Sequence, residues 1–160
     1  MSSSVWKPSV TVAAVIERHG RFLLVEEETS HGLRLNQPAG HLEPAETLLQ
    51  AVVRETLEET THAFTPTALL GVYMGRGNGS RRGEGPITYL RFAYTGELGE
   101  EVPGRRLDAE IVRTLWLTPE EIRARLAMHR SPLVMKCVDD HLGGQRYPLD
   151  VVWTHPSVAR

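Results

Sequence analysis

Three glutamates in the first half of the sequence have the spacing of a metal-binding cluster. Glu55, Glu58 and Glu59 stand at relative positions i, i+3 and i+4. On an α-helix, where each residue turns by about 100°, their side chains fall within an arc of about 100°. Such a face offers only oxygen ligands, which suit Mg²⁺ or Mn²⁺ rather than zinc. The spacing is therefore compatible with a divalent-cation site that would bridge these carboxylates to the phosphates of a substrate.

The same residues are also compatible with an acidic helix face that only contacts solvent. Like charges one turn apart destabilise an isolated helix by roughly a few tenths of a kcal/mol per pair. Arg54 lies one turn before Glu58 and would offset part of that repulsion. The three glutamates alone do not separate the two interpretations, so the residues around them must do so.

A helix over residues 46–60 is predicted to carry the cluster. Leu49, Val53 and Leu57 recur every four residues and give this helix an apolar stripe. The stripe lies on the other side of the helix from the glutamates, so we expect the acidic face to point toward a cleft. Further apolar residues between the two faces weaken this division.

Strands are predicted on both sides of this helix. Apolar positions alternate over residues 10–16 and resume as a continuous run at residues 22–25 after a His19-Gly20 turn, so residues 9–28 are expected to form a β-hairpin. A short extended piece at residues 35–38 leads to the helix. Further strands are expected at residues 67–74, 87–97 and 111–117.

Two start signals predict helices in the last third of the chain. Thr118-Pro119-Glu120-Glu121 joins an N-cap, a first-turn proline and a capping-box glutamate. Ser131-Pro132 repeats the start signal, and Gly143-Gly144 supplies a stop. The sequence thus predicts a single α/β domain over residues 1–160, of the α+β kind, in which helices flank a mixed sheet.

Residues 75–86 are rich in glycine and charge and are predicted to be a mobile loop. Their glycines match neither the phosphate-binding P-loop nor the dinucleotide-binding pattern. Two interpretations stay open for this segment. It is either a solvated connection or a lid that brings Arg81 or Arg82 to a substrate phosphate.

Composition limits the classes of partner. The net charge is -2, so neither nucleic acid nor an anionic membrane surface is expected to bind through charge. The single Cys137 excludes an intramolecular disulfide and a multi-cysteine zinc site. The sequence has no apolar run of membrane-spanning length and no pattern of an export signal. We expect a cytoplasmic protein, a monomer or homodimer without a membrane partner, that acts on a small molecule.

The residues around the glutamates resemble the signature of the Nudix hydrolase family, Gly-x5-Glu-x7-Arg-Glu-x-x-Glu-Glu. The matching positions are Gly40, Glu46, Arg54, Glu55, Glu58 and Glu59. This resemblance implies the Nudix fold, an α/β/α sandwich, and a Mg²⁺-dependent hydrolase of organic pyrophosphates, with Mn²⁺ as a second possible cation. It favours the metal site over the solvated acidic face.

Three departures from the signature leave every carboxylate in place. Thr56 stands at an apolar position, Thr61 at the closing glycine and His62 at the apolar position that follows. A glycine there would serve as a left-handed C-cap. Thr61 therefore predicts either backbone strain or a different exit from the helix.

The resemblance implies a role for each residue of the signature. The metal ligands would be Glu55, Glu58, Glu59 and the backbone carbonyl of Ala39 or Gly40. A pair formed by Glu46 and Arg54 would orient them. The general base would be Glu58 or an acidic residue from a later loop, for which Glu110 is the main candidate.

A closer resemblance, to the NudJ phosphatase subgroup, extends over most of the chain. The matching segments are residues 10–13, 36–43, 130–134 and 144–149. This resemblance implies hydrolysis of nucleoside di- and triphosphates and of thiamine or hydroxymethylpyrimidine pyrophosphate, with release of orthophosphate. The candidate substrate contacts are His41, Arg81, Arg130, Gln145 and Arg146.

Two other functions stay open. A pyrophosphatase that splits ADP-ribose or a dinucleotide would carry the same signature. A non-catalytic Nudix module that senses a nucleotide would have the same fold, although such modules usually lose signature carboxylates.

Overall fold

In a computed structural model, strands account for most of the first two-thirds of the chain. Residues 4–81 and 85–159 are described, residues 78–81 by their backbone alone. The strands are β1 (Ser9–Val15), β2 (Glu17–Arg18), β3 (Arg21–Thr29), β4 (Gly32–Asn36), β5 (Ala39–His41), β6 (His62–Arg81), β7 (Gly85–Glu101) and β8 (Ile111–Leu117). The helices are α1 (Leu48–Thr60), α2 (Pro119–Arg123) and α3 (Leu133–Leu142), with 3₁₀ turns at Leu126–Met128, Leu149–Val151 and Pro156–Ala159. In this part of the chain no helix has the length and hydropathy needed to cross a membrane.

The strands form two sheets, one of them mixed. In the described residues the first sheet has the order β5-β1-β7-β6, and the second has the order β2-β3-β4 with β8 also paired to β3. Strand β1 runs parallel to β7, whereas β5 and β6 pair with their neighbours in antiparallel fashion. Residues 37 and 38 connect β4 of the second sheet to β5 of the first, and β5 lies beside α1.

Helices cover both faces of the first sheet because β1 is apolar on both sides. Val12 and Ala14 belong to the core that α1 covers, and Ala13 and Val15 belong to the core that α3 covers. All four side chains are at most 1% exposed. Successive strand residues point to opposite faces, so one strand serves both cores. The predicted α+β fold, with helices around a mixed sheet, is confirmed.

The hairpin predicted over residues 9–28 is only partly correct. The turn is present, and His19 and Gly20 both have positive φ, 52° and 76°, as a tight two-residue hairpin turn requires. However, only β2 pairs with β3 through this turn, while β1 joins the first sheet. A strand buried on both faces needs a central place in a sheet, and β1 finds one between β5 and β7.

The mobile loop predicted over residues 75–86 is wrong for most of its length. Strand β6 continues to Arg81 and β7 starts at Gly85, with Arg76 paired to Thr88. Glycine contributes here by leaving room, since a Cβ at Gly77 would lie 2.6 Å from the Tyr89 ring. The Arg81 side chain and all of Arg82, on which the lid interpretation depended, lie outside the described part of the chain.

The predicted packing face of α1 is only partly correct, since Val53 of the predicted stripe packs against the core but Leu49 does not. Leu49 is 37% exposed, while Ala51, Val52 and Thr56 are fully buried together with two glutamates of the cluster. The Thr56 hydroxyl donates to the carbonyl of Val52 at 2.7 Å, so its polar atom is satisfied inside the core. The acidic side of α1 therefore faces inward, against the chain that precedes the helix.

The local start and stop signals are confirmed. Thr118 accepts from the backbone N–H of Glu121, whose carboxylate accepts in return from the Thr118 N–H. Strand β8 has the predicted bounds, and α3 ends at Gly143, followed by Gly144 at φ 81°. Helix α1 starts two residues later than predicted, after a capping box between Thr47 and Gln50.

Gly96→Ala should destabilise the fold because another backbone lies against this glycine. A Cβ at Gly96 would overlap the carbonyl oxygen of Thr65. Backbone cannot turn aside as a side chain can, so we expect the free energy of unfolding to fall by about 3 kcal/mol. Gly99→Ala on the same strand is the matched control, since its Cβ would lie 3.3 Å from that of Ala63. Urea unfolding measures both, and equal losses would contradict this explanation.

Candidate active site

Helix α1 holds the three predicted glutamates at unequal depth. Glu55 and Glu59 are buried, with 8% and 6% of the residue exposed, whereas the Glu58 side chain is 32% exposed. The helix ends at Thr61, which has φ 63° and donates its N–H to the carbonyl of Leu57. The predicted strain is thus present, because a β-branched residue occupies the left-handed conformation. The Thr61 hydroxyl donates to the carbonyl of Thr60 at 2.6 Å and lies 3.2 Å from Glu101 Oε1, contacts that help to hold this exit.

Arg54 lies at the centre of the carboxylates. Its Nε donates to Glu46 Oε1 at 2.6 Å, and its Nη1 donates to Glu55 at 2.8 Å and to Glu58 at 3.1 Å. Its Nη2 also donates to the carbonyl oxygen of His41. The Arg54 hydrogen bond lowers the pKa of Glu46. The expected Glu46–Arg54 contact is therefore present, and Arg54 is also the nearby cation for two of the candidate metal ligands.

The chain before α1 approaches the helix closely at β5. The Ala39 N–H donates to Glu59 Oε2 at 3.2 Å. A Cβ at Gly40 would overlap the Glu55 carboxylate, so this position accepts only a glycine without rearrangement. The backbone of β5 and the acidic face of α1 thus form one surface, which is where the sequence predicted a carbonyl ligand.

The buried carboxylates of Glu55 and Glu59 have too little positive charge around them to favour their ionised forms. Burial raises the pKa of Glu59 to about 9, against a lowering by the Ala39 N–H, and the charges of Glu27, Glu55 and Asp108 raise it further. Burial also raises the pKa of Glu55, although Arg54 opposes it. A buried carboxylate is stable in its ionised form only beside a cation or several donors.

Glu27 of β3 belongs to the same acidic surface, and the sequence analysis missed it. Its side chain is 16% exposed, and the Nε atom of Arg130 lies 3.7 Å from Glu27 Oε1. Oε1 is buried and has no hydrogen bond. Asp108, also missed, is joined to α1 because its N–H donates to the carbonyl of Glu58 at 3.0 Å. Neither residue has a local sequence signal, since both reach α1 only through tertiary contacts.

The oxygen donors suit a divalent cation in their chemistry, although their side chains do not form a complete coordination sphere. Among residues 4–81 and 85–159, no three His, Cys, Asp or Glu side chains are gathered closely enough to hold a metal ion. Arg54 Nη1 instead lies between two of these carboxylates, 2.8 Å from Glu55 Oε1 and 3.1 Å from Glu58 Oε2. The oxygen-only donors, the buried charge and the orphaned Glu27 oxygen all suit Mg²⁺-type ligation. A cation would supply the charge that Arg54 alone does not.

The other predicted substrate contacts are dispersed. His41 lies in β5, with its ring 6.2 Å from that of Tyr89, and Arg130 is close to Glu27. Gln145 instead donates to the carbonyl of Leu70, and Arg146 contacts His141 at 3.0 Å. These last two contacts hold the C-terminal segment against the rest of the fold.

Glu110, the candidate base from a later loop, is exposed. Its carbonyl accepts from the Glu28 N–H at 2.8 Å, which joins the end of this loop to β3. The loop that contains Asp108 and Glu110 therefore lies at the edge of the acidic surface.

Comparison with known proteins gives consistent results. The NUDIX domain matches residues 5–137. Phosphatase NudJ of Escherichia coli strain K12 is 36% identical over 148 residues, which cover 92% of each chain. A NUDIX hydrolase structure from Nitrosomonas europaea is 50% identical with a TM-score of 0.83, and the match covers 93% of this chain and 98% of that one. A MutT NUDIX hydrolase from Burkholderia pseudomallei, 20% identical with a TM-score of 0.67 over 84% of this chain and 98% of that one, shares the fold.

Proposed function

The chain belongs to the Nudix family, and from this membership we propose that it is a Mg²⁺-dependent phosphatase of small pyrophosphates. That it is a hydrolase acting on pyrophosphate bonds follows from the family match and the NudJ relatives. The substrates we propose are nucleoside di- and triphosphates and thiamine or hydroxymethylpyrimidine pyrophosphate, each losing orthophosphate. The similarity to Phosphatase NudJ over 92% of both chains carries this choice.

Glu55, Glu58 and Glu59 would hold the cation together with the backbone carbonyl of Ala39 or Gly40. When bound, Mg²⁺, or Mn²⁺ in its place, would polarise the phosphoryl oxygens and ease deprotonation of the attacking water. The close fit of Gly40 on Glu55 supports this ligand set.

Arg54 and Glu46 would fix the direction of the ligands. Arg54 reaches Glu46, Glu55 and the His41 carbonyl at once, so it ties α1 to β5 through several charged hydrogen bonds. Such bonds are short and directional. Loss of this support commonly lowers metal affinity by about 10- to 100-fold.

Glu58 would accept the proton of the attacking water, because its carboxylate is the most accessible of the three to solvent. The new bond forms between the water oxygen and the terminal phosphorus, and the bridging P–O bond breaks. Orthophosphate leaves, and the rest of the substrate keeps the bridging oxygen. Arg130 and His41 would bind phosphate oxygens beside the carboxylates, whereas Gln145 and Arg146 stabilise the fold. Glu110 is the alternative base.

Product analysis tests this proposal. The protein is incubated with Mg²⁺ and thiamine pyrophosphate, hydroxymethylpyrimidine pyrophosphate, nucleoside triphosphates or ADP-ribose, and orthophosphate, pyrophosphate and nucleoside monophosphate are measured. We expect orthophosphate from the first three classes and none in EDTA. AMP from ADP-ribose as the main product would favour the dinucleotide-type pyrophosphatase. No hydrolysis across the panel would exclude both enzymes and favour a nucleotide-sensing module. A Glu58→Gln preparation controls for contaminating phosphatases.

A further inference from the structure

One oxygen of the partly buried Glu27 carboxylate has no hydrogen-bond partner, although Asn36 and Arg130 lie against the side chain. Its Oε1 is inaccessible to solvent and makes no hydrogen bond. The Arg130 Nε, at 3.7 Å, is beyond hydrogen-bonding distance. Leaving a carboxylate oxygen in this state costs free energy unless another group satisfies it.

Neighbouring side chains hold Glu27 in place. Asn36, on the paired strand β4, interacts with the carboxylate and accepts a hydrogen bond from Arg91 Nη2 at 2.9 Å. Arg91 is 5% exposed and also donates to Gln37 at 2.9 Å. Buried, hydrogen-bonded neighbours of this kind fix the direction of a ligand rather than remove its capacity to bind.

Both chain segments next to Glu27 contact the glutamates of α1. On one side, two residues separate Asn36 from Ala39, whose N–H donates to Glu59. On the other side, Glu27 pairs with Ile111 in β8. The Ile111 N–H donates to the carbonyl of Asp108, and the Asp108 N–H donates to the carbonyl of Glu58. Glu27 therefore lies between two connections to the cation-binding face of α1.

We propose that Glu27 is a further ligand of the divalent cation, contributed by strand β3 of the second sheet in addition to the glutamates of α1. This assignment rests on the function proposed above. It gives the orphaned oxygen a partner and makes the cation a link between helix and second sheet. Arg130, which flanks Glu27, is then placed to contact a phosphate oxygen bound to the same cation.

Binding of Mn²⁺ alone, followed by titration calorimetry, tests the assignment without relying on turnover. Glu27→Gln keeps the shape of the side chain and removes its charge, so we expect the Kd for Mn²⁺ to rise by at least about tenfold. Glu28→Gln is the matched control, because Glu28 is the exposed neighbour on the same strand. An Mn²⁺ affinity of Glu27→Gln within twofold of that of Glu28→Gln would overturn the proposal.

Glu27→Asp keeps the test decisive if the glutamine variant does not fold. Aspartate preserves the charge and its attraction to Arg130 but withdraws the carboxylate by one methylene, so we expect several-fold weaker Mn²⁺ binding with an unchanged unfolding midpoint in EDTA. A role confined to pairing with Arg130 predicts unchanged Mn²⁺ affinity for Glu27→Asp, which would refute the assignment.

Glu55→Gln separates this inference from the proposed function. If Glu55→Gln loses Mn²⁺ binding and hydrolysis while both Glu27 variants keep them, Glu27 is not a ligand and the proposed function stands. If the unaltered protein binds no Mn²⁺ and hydrolyses nothing, both proposals fail.

Discussion

Glu58→Gln should lower kcat by about three orders of magnitude and leave the fold intact, because it removes the proposed general base. The amide keeps the shape of the side chain, and its oxygen can still accept from Arg54 Nη1, now at 3.1 Å. The position is partly exposed, so the change creates no cavity. Steady-state kinetics at saturating Mg²⁺, with the substrate that gives most orthophosphate, measures kcat and KM.

Two further variants decide how the loss is interpreted. Glu110→Gln tests the alternative base, and a large loss there with little loss in Glu58→Gln would move the base to the loop before β8. Glu120→Gln is the control, since Glu120 is exposed in the first turn of α2. If Glu55→Gln and Glu58→Gln both kept near-normal turnover, these glutamates would not be the metal ligands.

The parts of the site that depend on local sequence were predictable. Helix caps depend on a few neighbouring residues, so the capping box at Thr118 and the stop at Gly143 follow from residue type and spacing. At Thr61 the comparison with the signature left backbone strain and a different helix exit open, and the φ of 63° corresponds to the first of these. The spacing of the signature likewise placed Arg54 next to Glu46.

The parts that depend on tertiary contacts were not predictable. The apolar pattern of α1 pointed to Leu49 as a packing residue, but the helix buries Glu55 and Glu59 instead. Their burial comes from β5, whose Gly40 accepts the Glu55 carboxylate against its backbone. Glu27 had no signal for the same reason, because its neighbours come from β4 and β8. The pairing of β1 with β5 and β7 likewise depends on residues that are distant in the sequence.

In the absence of divalent cations, the free energy of unfolding of the protein should fall as the pH rises from about 5 to about 9. The pKa of Glu59 is raised from an ordinary 4.5 to about 9, chiefly by burial. Between these two values the unfolded chain has lost the Glu59 proton while the metal-free folded protein keeps it. The folded state therefore binds more protons, and its free energy of unfolding falls with increasing pH. Thermal unfolding in EDTA across this pH range measures the slope.

Mg²⁺ should remove most of this slope, because a bound cation stabilises the ionised carboxylate and its binding releases the proton. Calorimetry in two buffers of different ionisation enthalpy counts the protons released. A stability that does not change with pH in EDTA would show that Glu59 is already ionised in the metal-free fold.

Glu59→Gln should then stabilise the metal-free protein although it removes a metal ligand. The amide carries no charge to bury and its oxygen can still accept from the Ala39 N–H, so at pH 8 in EDTA we expect a gain on the order of 3 kcal/mol. With saturating Mg²⁺ the order reverses, because the unaltered protein gains binding free energy that the variant lacks. Glu46→Gln is the control for a carboxylate paired with Arg54 and should destabilise under both conditions. Because a glutamate with a purely structural role would not produce this reversal, the crossing of the two stability curves identifies Glu59 as a carboxylate buried for the sake of a cation.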